Sequence, residues 1–217
     1  MHIIDLTHSL EPSTPVFPDY PPVGVHRLEA IGVSTPVGRR ALNSSQVTVG
    51  LHCGTHVDAP AHFYNARPTI EQVALEKCVG PALLVDLTPK TLPAQSVIDV
   101  ADLADYAEHL RATGKVILKT GWAQRWGDPA YFTEHPVLTG EAAQFLVSCG
   151  VHLLGVDTPS VDRPPFPAHL VLLDNQVVIL ENLTNLDAIP TPHFQLVALP
   201  LKLTGREASP VRAIAIL

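Results

Sequence analysis

Apolar residues along this chain come in short runs bounded by glycine and proline. Residues 3–7, 47–51, 82–87, 115–119, 153–156, 177–180, 195–200 and 211–216 are rich in Val, Ile and Leu, and each reads as a strand. The runs ALLVDL, VILKT and VVILEN are apolar almost throughout, the pattern of strands covered on both faces. Residues 99–113 follow a different period: Val100, Leu103, Ala104, Ala107 and Leu110 share one helical face, and Gly114 follows as a stop. Residues 139–150 repeat that design, with Thr139 as N-cap and Gly150 behind. Residues 69–77 predict a shorter helix. Helices set between central strands, with strand-rich ends, predict an α/β fold with a mixed sheet. No repeat or low-complexity linker divides it, so residues 1–217 read as a single domain.

Composition narrows the function. Hydrophobic residues make up 46% of the 217 and charged residues 16%, well under the usual quarter, which excludes a disordered chain and disfavours a coiled coil. A formal charge of −7 argues against a nucleic-acid partner, because phosphate neutralisation needs a basic face. The three cysteines, Cys53, Cys78 and Cys149, are odd in number and far apart, so a disulfide framework is not expected and a reducing cytoplasm is. The start, MHIIDLTHSL, lacks the basic and apolar regions of a signal peptide, and no apolar run approaches membrane-spanning length. Two excesses remain: 21 prolines, which predict many fixed turns, and 11 histidines.

The histidines matter through their spacing. Leu51–Phe63 reads LHCGTHVDAPAHF and brings His52, His56, Asp58 and His62 within eleven residues. Imidazole nitrogen and carboxylate oxygen are first-choice donors for Zn²⁺ and neighbouring divalent ions. Helical placement of His52 and His56 is disfavoured by Gly54, the β-branched Thr55 and Val57, and Pro60. The expectation is a strand entering a glycine-containing loop that folds His52, His56 and Asp58 around one ion. Cys53 lies between two of these residues, but alternation along an extended chain points it away. Three ligands plus a further polar group is the pattern of an open catalytic site; a structural zinc site is normally closed by four ligands, often cysteines. A non-catalytic domain stapled by the metal is the competing class. Serine-hydrolase, P-loop and dinucleotide-binding motifs are absent, as is HExxH.

The run His52-Cys53-Gly54-Thr55-His56-Val57-Asp58-Ala59-Pro60-Ala61-His62 resembles the signature of the cyclase-like metal hydrolases, a family that includes bacterial kynurenine formamidase and isatin hydrolase. IDLTH near the start, PVFP at 15–18, TGW at 120–122, GVDTPSVD at 155–162, VILENL at 178–183 and SPVRA at 209–213 resemble it too, in order along nearly the whole chain. The resemblance implies a partly barrel-like sheet flanked by helices, His52, His56 and Asp58 as metal ligands, and His62 as the catalytic acid–base. It further implies a second ion held by Asp58 with His169 and Glu181, so one or two divalent ions in all, Zn²⁺ first and Mn²⁺ second. The implied substrate is a small amide, an N-formylkynurenine-like formanilide or an isatin-like cyclic amide, and the implied assembly is a homodimer. Where formamidases of this type carry a Trp followed by Pro-Gly-Asp, this chain has Phe17-Pro18-Asp19-Tyr20, leaving Phe17 as the candidate substrate contact.

Other residues keep two readings. Trp122, Trp126, Tyr131 and Phe132 form either a core or dimer cluster or a pocket wall. Asp157 and Asp162 either orient ligand imidazoles or belong to an ordinary turn. Arg212 is a late-chain charge in a setting that raises an interface role.

Overall fold

A computed structural model describes residues 1–28, 31–90 and 92–217. Nine strands form the main sheet: β1 (Ile3–Asp5), β2 (His56–Asp58), β3 (Val79–Asp86), β4 (Lys115–Lys119), β5 (Leu153–Val156), β6 (Val178–Glu181), β7 (His193–Val197), β8 (Ala208–Pro210) and β9 (Ile214–Ile216). Their spatial order is β1-β9-β7-β3-β4-β5-β6-β2-β8. The central four, β3 to β6, run parallel, and every outer pairing is antiparallel. The fold is thus α/β with a mixed sheet curled into a half-barrel, as the sequence led us to expect. The segment after β1 draws the curl inward: Thr7 bridges Leu183, Thr184 N–H donates to the Leu6 carbonyl at 3.1 Å, and Leu6 N–H donates to Ala213 at 2.9 Å.

Period-2 alternation divides the core into two layers. Ile4, Val57, Ala82, Leu84, Ile117, Leu153, Val178, Leu180, Phe194 and Leu196 fill the concave side. Leu83, Val85, Val116, Leu118, Leu154, Val156 and Ile179 face the other way, under the helices. Both faces of the parallel strands are therefore covered, which is why their sequences are apolar without interruption.

Four α-helices are present among the described residues: α1 (Val100–Leu103), α2 (Ala107–Thr113), α3 (Gly140–Ser148) and α4 (Pro167–Asp174). The helix expected over 99–113 is broken by a 3-10 turn at Ala104–Tyr106, and Leu103 and Leu110 on either side of it are both fully buried. It stops at Gly114 in the left-handed conformation, φ +64°; the ring of His152 packs so close that a Cβ there would meet it at 2.4 Å. Over 139–150 the expectation holds, with Thr139 Oγ1 accepting from Ala142 N–H at 3.1 Å. Residues 69–77 form two 3-10 turns instead of one helix.

Helix α4 was not foreseen, because Pro164, Pro165 and Pro167 made that stretch read as loop. Pro167 occupies the first helical position, where no N–H is needed. Strand expectations shift at the edges. The one over 47–51 appears as Ser45–Thr48, paired with Gly24–Arg27 in a ribbon outside the main sheet. That over 195–200 moves back to 193–197, and that over 211–216 shortens to β9 at 214–216, with β8 lying just before it. No helix among the described residues is long and apolar enough to cross a membrane.

Leu154 is fully buried between β4, β6 and the helices. Truncating it leaves a cavity that the surrounding strands cannot close, so Leu154→Ala should lower unfolding free energy by about 2–5 kcal/mol, read from the urea midpoint at unchanged slope.

Candidate metal centre

Strand β2 is the shortest route from motif to site. Val57 packs into the concave core, so its neighbours His56 and Asp58 project to the opposite, helix-covered face. The antiparallel register with β6 sets His56 opposite Glu181 and Asp58 opposite Ile179, so Glu181 emerges on that same face. A strand, Ser45–Thr48, enters the glycine-containing loop as expected, but His56 and Asp58 stand on the strand that follows the loop, not on the loop itself. His52 lies on the loop, in a turn closed by Cys53 N–H donating to the Gly50 carbonyl at 3.1 Å. Gly54 has φ +63°, and Leu10 packs where its Cβ would lie, at 2.7 Å, so only glycine fits both the turn and the contact. Thr55 ties the loop to the end of β6 by donating its hydroxyl to the Asn182 carbonyl at 2.6 Å.

His169 comes from the first turn of α4, and not from a loop. Asp162 holds it. Its Oδ2 accepts from the N–H groups of Ala168 and His169 at 2.6 and 3.1 Å, capping donors that the helix start leaves open. Its Oδ1 accepts from His169 Nδ1 at 2.5 Å. A carboxylate so engaged accepts the Nδ1 proton and leaves Nε2 as the free donor atom, as carboxylate partners do for ligating imidazoles. His56 is set the same way: Nδ1–H donates to the Gly54 carbonyl at 2.9 Å, and Nε2 turns to the carboxylates.

Those free atoms converge on Asp58. His52 Nδ1 lies 2.8 Å and His56 Nε2 3.4 Å from Asp58 Oδ1, while His169 Nε2 lies 4.0 Å from Oδ2. Glu181 spans the gap, with Oε2 at 3.4 Å from His56 Nε2 and Oε1 at 3.6 Å from His169 Nε2. Donor atoms of His52, His56 and Asp58 lie within 4.8 Å of one another, and so do those of Asp58, His62 and His169. Despite the short contacts, both Asp58 oxygens and His56 Nε2 are buried without a hydrogen-bond partner among the described residues. Atoms aimed at a common point instead of at each other, in a site where an unpartnered charge is costly, are what a cation coordinated between them requires. The donor set fits a divalent ion.

Electrostatics say the same. Burial raises the Asp58 pKa, yet the charges of His52 and His56 outweigh it and hold the carboxyl well below its ordinary value. Burial likewise opposes protonation of His56, but Asp58 and Glu181 push its pKa up to about 10. Without a metal the site recruits a proton to balance its carboxylates.

His62 is different in kind. It ends a 3-10 turn, Pro60–His62, begun by proline, and its ring packs 4.2 Å from that of His52. Burial pushes its pKa down to about 4; Asp58 opposes this, and the imidazoles of His52, His169 and His56 add to it. At neutral pH it is an uncharged base. His62 lines a cavity of about 460 Å³ together with His52, His56, His169 and Glu181, with Asp58 buried beneath. Phe17, Tyr20, Phe63, Ser160 and Phe166 complete the lining. All seven sequence-derived site residues thus meet in one place.

The family described as "Putative cyclase" matches residues 4–163. The chain belongs to the cyclase family. Two relatives of this chain are each called "Kynurenine formamidase". The one from Bacillus cytotoxicus is 37% identical over 180 residues, 80% of either chain; the one from Salinibacter ruber is 33% identical over 222 residues, 99% of this chain and 97% of its own. An isatin hydrolase crystallised with the product analogue thioisatinate superposes with a TM-score of 0.83 at 26% identity, covering 99% of this chain and 92% of that one.

Of the undecided residues, Asp162 proves to orient a candidate ligand, whereas Asp157 accepts from Thr120 and Gly121 and reaches none. Trp122 is core, its Nε1–H donating to the Tyr131 carbonyl at 2.9 Å; Trp126 stacks on His8, and neither lines the cavity. Cys53 is buried and belongs to neither donor cluster. Arg212 makes an exposed two-pronged pair with Asp5. Sequence reading missed Phe63, Phe166 and Ser160. Phe63 adjoins the motif, but Phe166 carries no local signal.

Burial pushes the His8 and His135 pKa values down to about 4, as it does for His62. Each must stay neutral when folded but protonates freely when unfolded, so stability falls as pH drops from about 6.5 towards 4. His56, with its pKa raised, contributes stability below pH 6.5 that is lost as pH rises through about 10. Metal-free protein should therefore show a bell-shaped dependence of its urea midpoint on pH, with its maximum near neutrality.

Proposed function

We propose that this chain is a divalent-metal-dependent hydrolase of a small non-peptide C–N amide bond, arylformamidase-like, acting in the cytoplasm as a homodimer. The observation that carries the reading is the convergence of unpartnered buried donors on Asp58, beside an uncharged, cavity-lining His62. The kynurenine formamidase relatives support the formanilide substrate, and the isatin hydrolase neighbour supports a cyclic amide as the second candidate. A net charge of −7 leaves no case for a nucleic-acid partner, and three buried free thiols suit a reducing compartment.

His52, His56 and Asp58 would hold one ion, and Asp58, His169 and Glu181 a second, with Zn²⁺ placed before Mn²⁺ for a nitrogen-rich set. Such an ion supplies Lewis acidity to a carbonyl and acidifies water at neutral pH. The chain's own residues do the rest. Asp162 fixes His169 through its carboxylate and Gly54 fixes His56 through its backbone carbonyl; both contacts engage Nδ1 and keep Nε2 of each ring bare. His62 takes a proton as water adds to the amide carbon and returns it to nitrogen as the C–N bond breaks, leaving a carboxylic acid and an amine. Phe17, against Phe132 at 4.8 Å, offers a ring face to an aromatic substrate.

A second reading of His62 comes from its own geometry, since its donor atom clusters with those of Asp58 and His169. It would then be a ligand. His62→Ala separates the two readings. As the acid–base it should lose about 10²–10⁴ in kcat with bound metal unchanged; as a ligand it should lose metal. Elemental analysis of protein kept from affinity resin should give one or two ions per chain. Full turnover of formanilide and isatin after chelation would sink the proposal altogether.

A further inference from the structure

The three candidate imidazole ligands are not held alike. His169 engages Asp162 through Nδ1, and His56 engages the Gly54 carbonyl through Nδ1, so Nε2 of each ring faces the carboxylates. His52 is turned the other way. Its Nδ1 lies 2.8 Å from Asp58 Oδ1, yet that oxygen has no hydrogen-bond partner among the described residues. The two atoms therefore stand side by side, as two ligands of one ion would, and not as donor and acceptor. An imidazole that binds a metal through Nδ1 carries its ring proton on Nε2, and that proton needs an acceptor. His52 Nε2 faces one, Glu207 Oε1, at 3.6 Å.

The backbone places Glu207 there. It directly precedes β8, whose Ala208 stands opposite Asp58 in the ladder with β2. Its carbonyl accepts from Ala59 N–H at 2.9 Å, and the Arg206 carbonyl accepts from Ile70 N–H at 2.8 Å. Gly205 N–H donates to Glu71 Oε1 at 3.0 Å, so three successive residues are tied down beside the motif. Among the described residues the Glu207 carboxylate pairs with no Lys or Arg; neighbouring Arg206 donates to the Thr204 carbonyl instead. The Glu207 side chain is 38% exposed, and an exposed pair adds little to folding stability. Its effect should therefore appear in metal affinity. Resting on the metal-centre reading above, we infer that Glu207 is a positioning residue: it accepts the Nε2 proton of His52 and holds Nδ1 towards the ion shared with His56 and Asp58. It does for His52, from the sheet edge, what Asp162 does for His169 from the start of α4. The ion assigned to Asp58, His169 and Glu181 has no such dependence.

Titration of the metal-stripped full chain with Zn²⁺ against a competing chelator tests this. Glu207→Ala should weaken one zinc site by about 10–100-fold. Glu207→Gln keeps an acceptor oxygen and should lose less. The urea midpoint of both metal-free variants should match wild type. A double-mutant cycle gives the readout that a merely structural role would not move: in a His52→Ala background, Glu207→Ala should cost no further affinity. Glu108→Ala removes an equal charge from α2 and should bind zinc as wild type does. Wild-type zinc affinity in Glu207→Ala, losses that add in the cycle, or an equal loss in Glu108→Ala overturns the inference. Wild type that binds no zinc overturns the metal-centre reading itself. Wild type that binds zinc but turns over no amide counts against the hydrolase reading alone and leaves the role of Glu207 standing.

Discussion

The negative charge on Asp58 is the constraint around which the rest is arranged. Its side chain is buried, both oxygens lack hydrogen-bond partners among the described residues, and a second carboxylate, Glu181, lies just across the β2–β6 ladder. Two desolvated carboxylates so close together are costly by several kcal/mol each unless positive charge sits between them. The imidazoles of His52, His56 and His169 surround that position without filling it, and in metal-free protein the elevated pKa of His56 shows the same demand met by a proton. Each nearby structural device serves to keep those ring nitrogens aimed at Asp58.

The scaffold supplies this arrangement from elements of different stiffness. His56, Asp58 and Glu181 stand on paired strands, whose side-chain directions are set by the pleat. His169 stands on a helix whose start is capped by the carboxylate that also orients its ring, so one residue, Asp162, couples helix position to ligand position. His52 and His62 come from turns before and after β2. A rigid set of donors beside a base on a separate turn is a sound arrangement for chemistry that needs fixed charge and a mobile proton. Phe17, Phe63 and Phe166 line the same cavity and contribute nothing to that charge balance.

Much of this was legible in the chain. The parallel strands announce themselves because both faces are buried, so every position must be apolar. The dense motif announces itself because one loop, one strand and the turn after it carry four polar groups that have no reason to be adjacent in a core. Helix α4 was hidden by Pro164, Pro165 and Pro167, which argue for loop wherever a helix interior is tested but are tolerated at a helix start. The two aspartates of GVDTPSVD show the limit most clearly: their settings are alike in sequence, yet Asp157 braces the Thr120–Gly121 turn and Asp162 braces His169.

The sequence determined the fold class, the cyclase family, and which residues are the candidate donors and the candidate base. The strands, the helices and the His52–His62 cluster follow from residue type and short spacing, which act over a few residues of chain; the base role of His62 and the candidates His169 and Glu181 come from the family resemblance. Only the tertiary structure decided that Glu181 stands opposite His56, that Asp162 and not Asp157 reaches an imidazole, and that Phe63 and Phe166 wall the cavity. These depend on strand register and on how α4 docks against the sheet, set by packing between segments more than a hundred residues apart in some cases, as for Phe63 and Phe166. No local pattern encodes such a contact, because the energy that selects it is shared across the whole core.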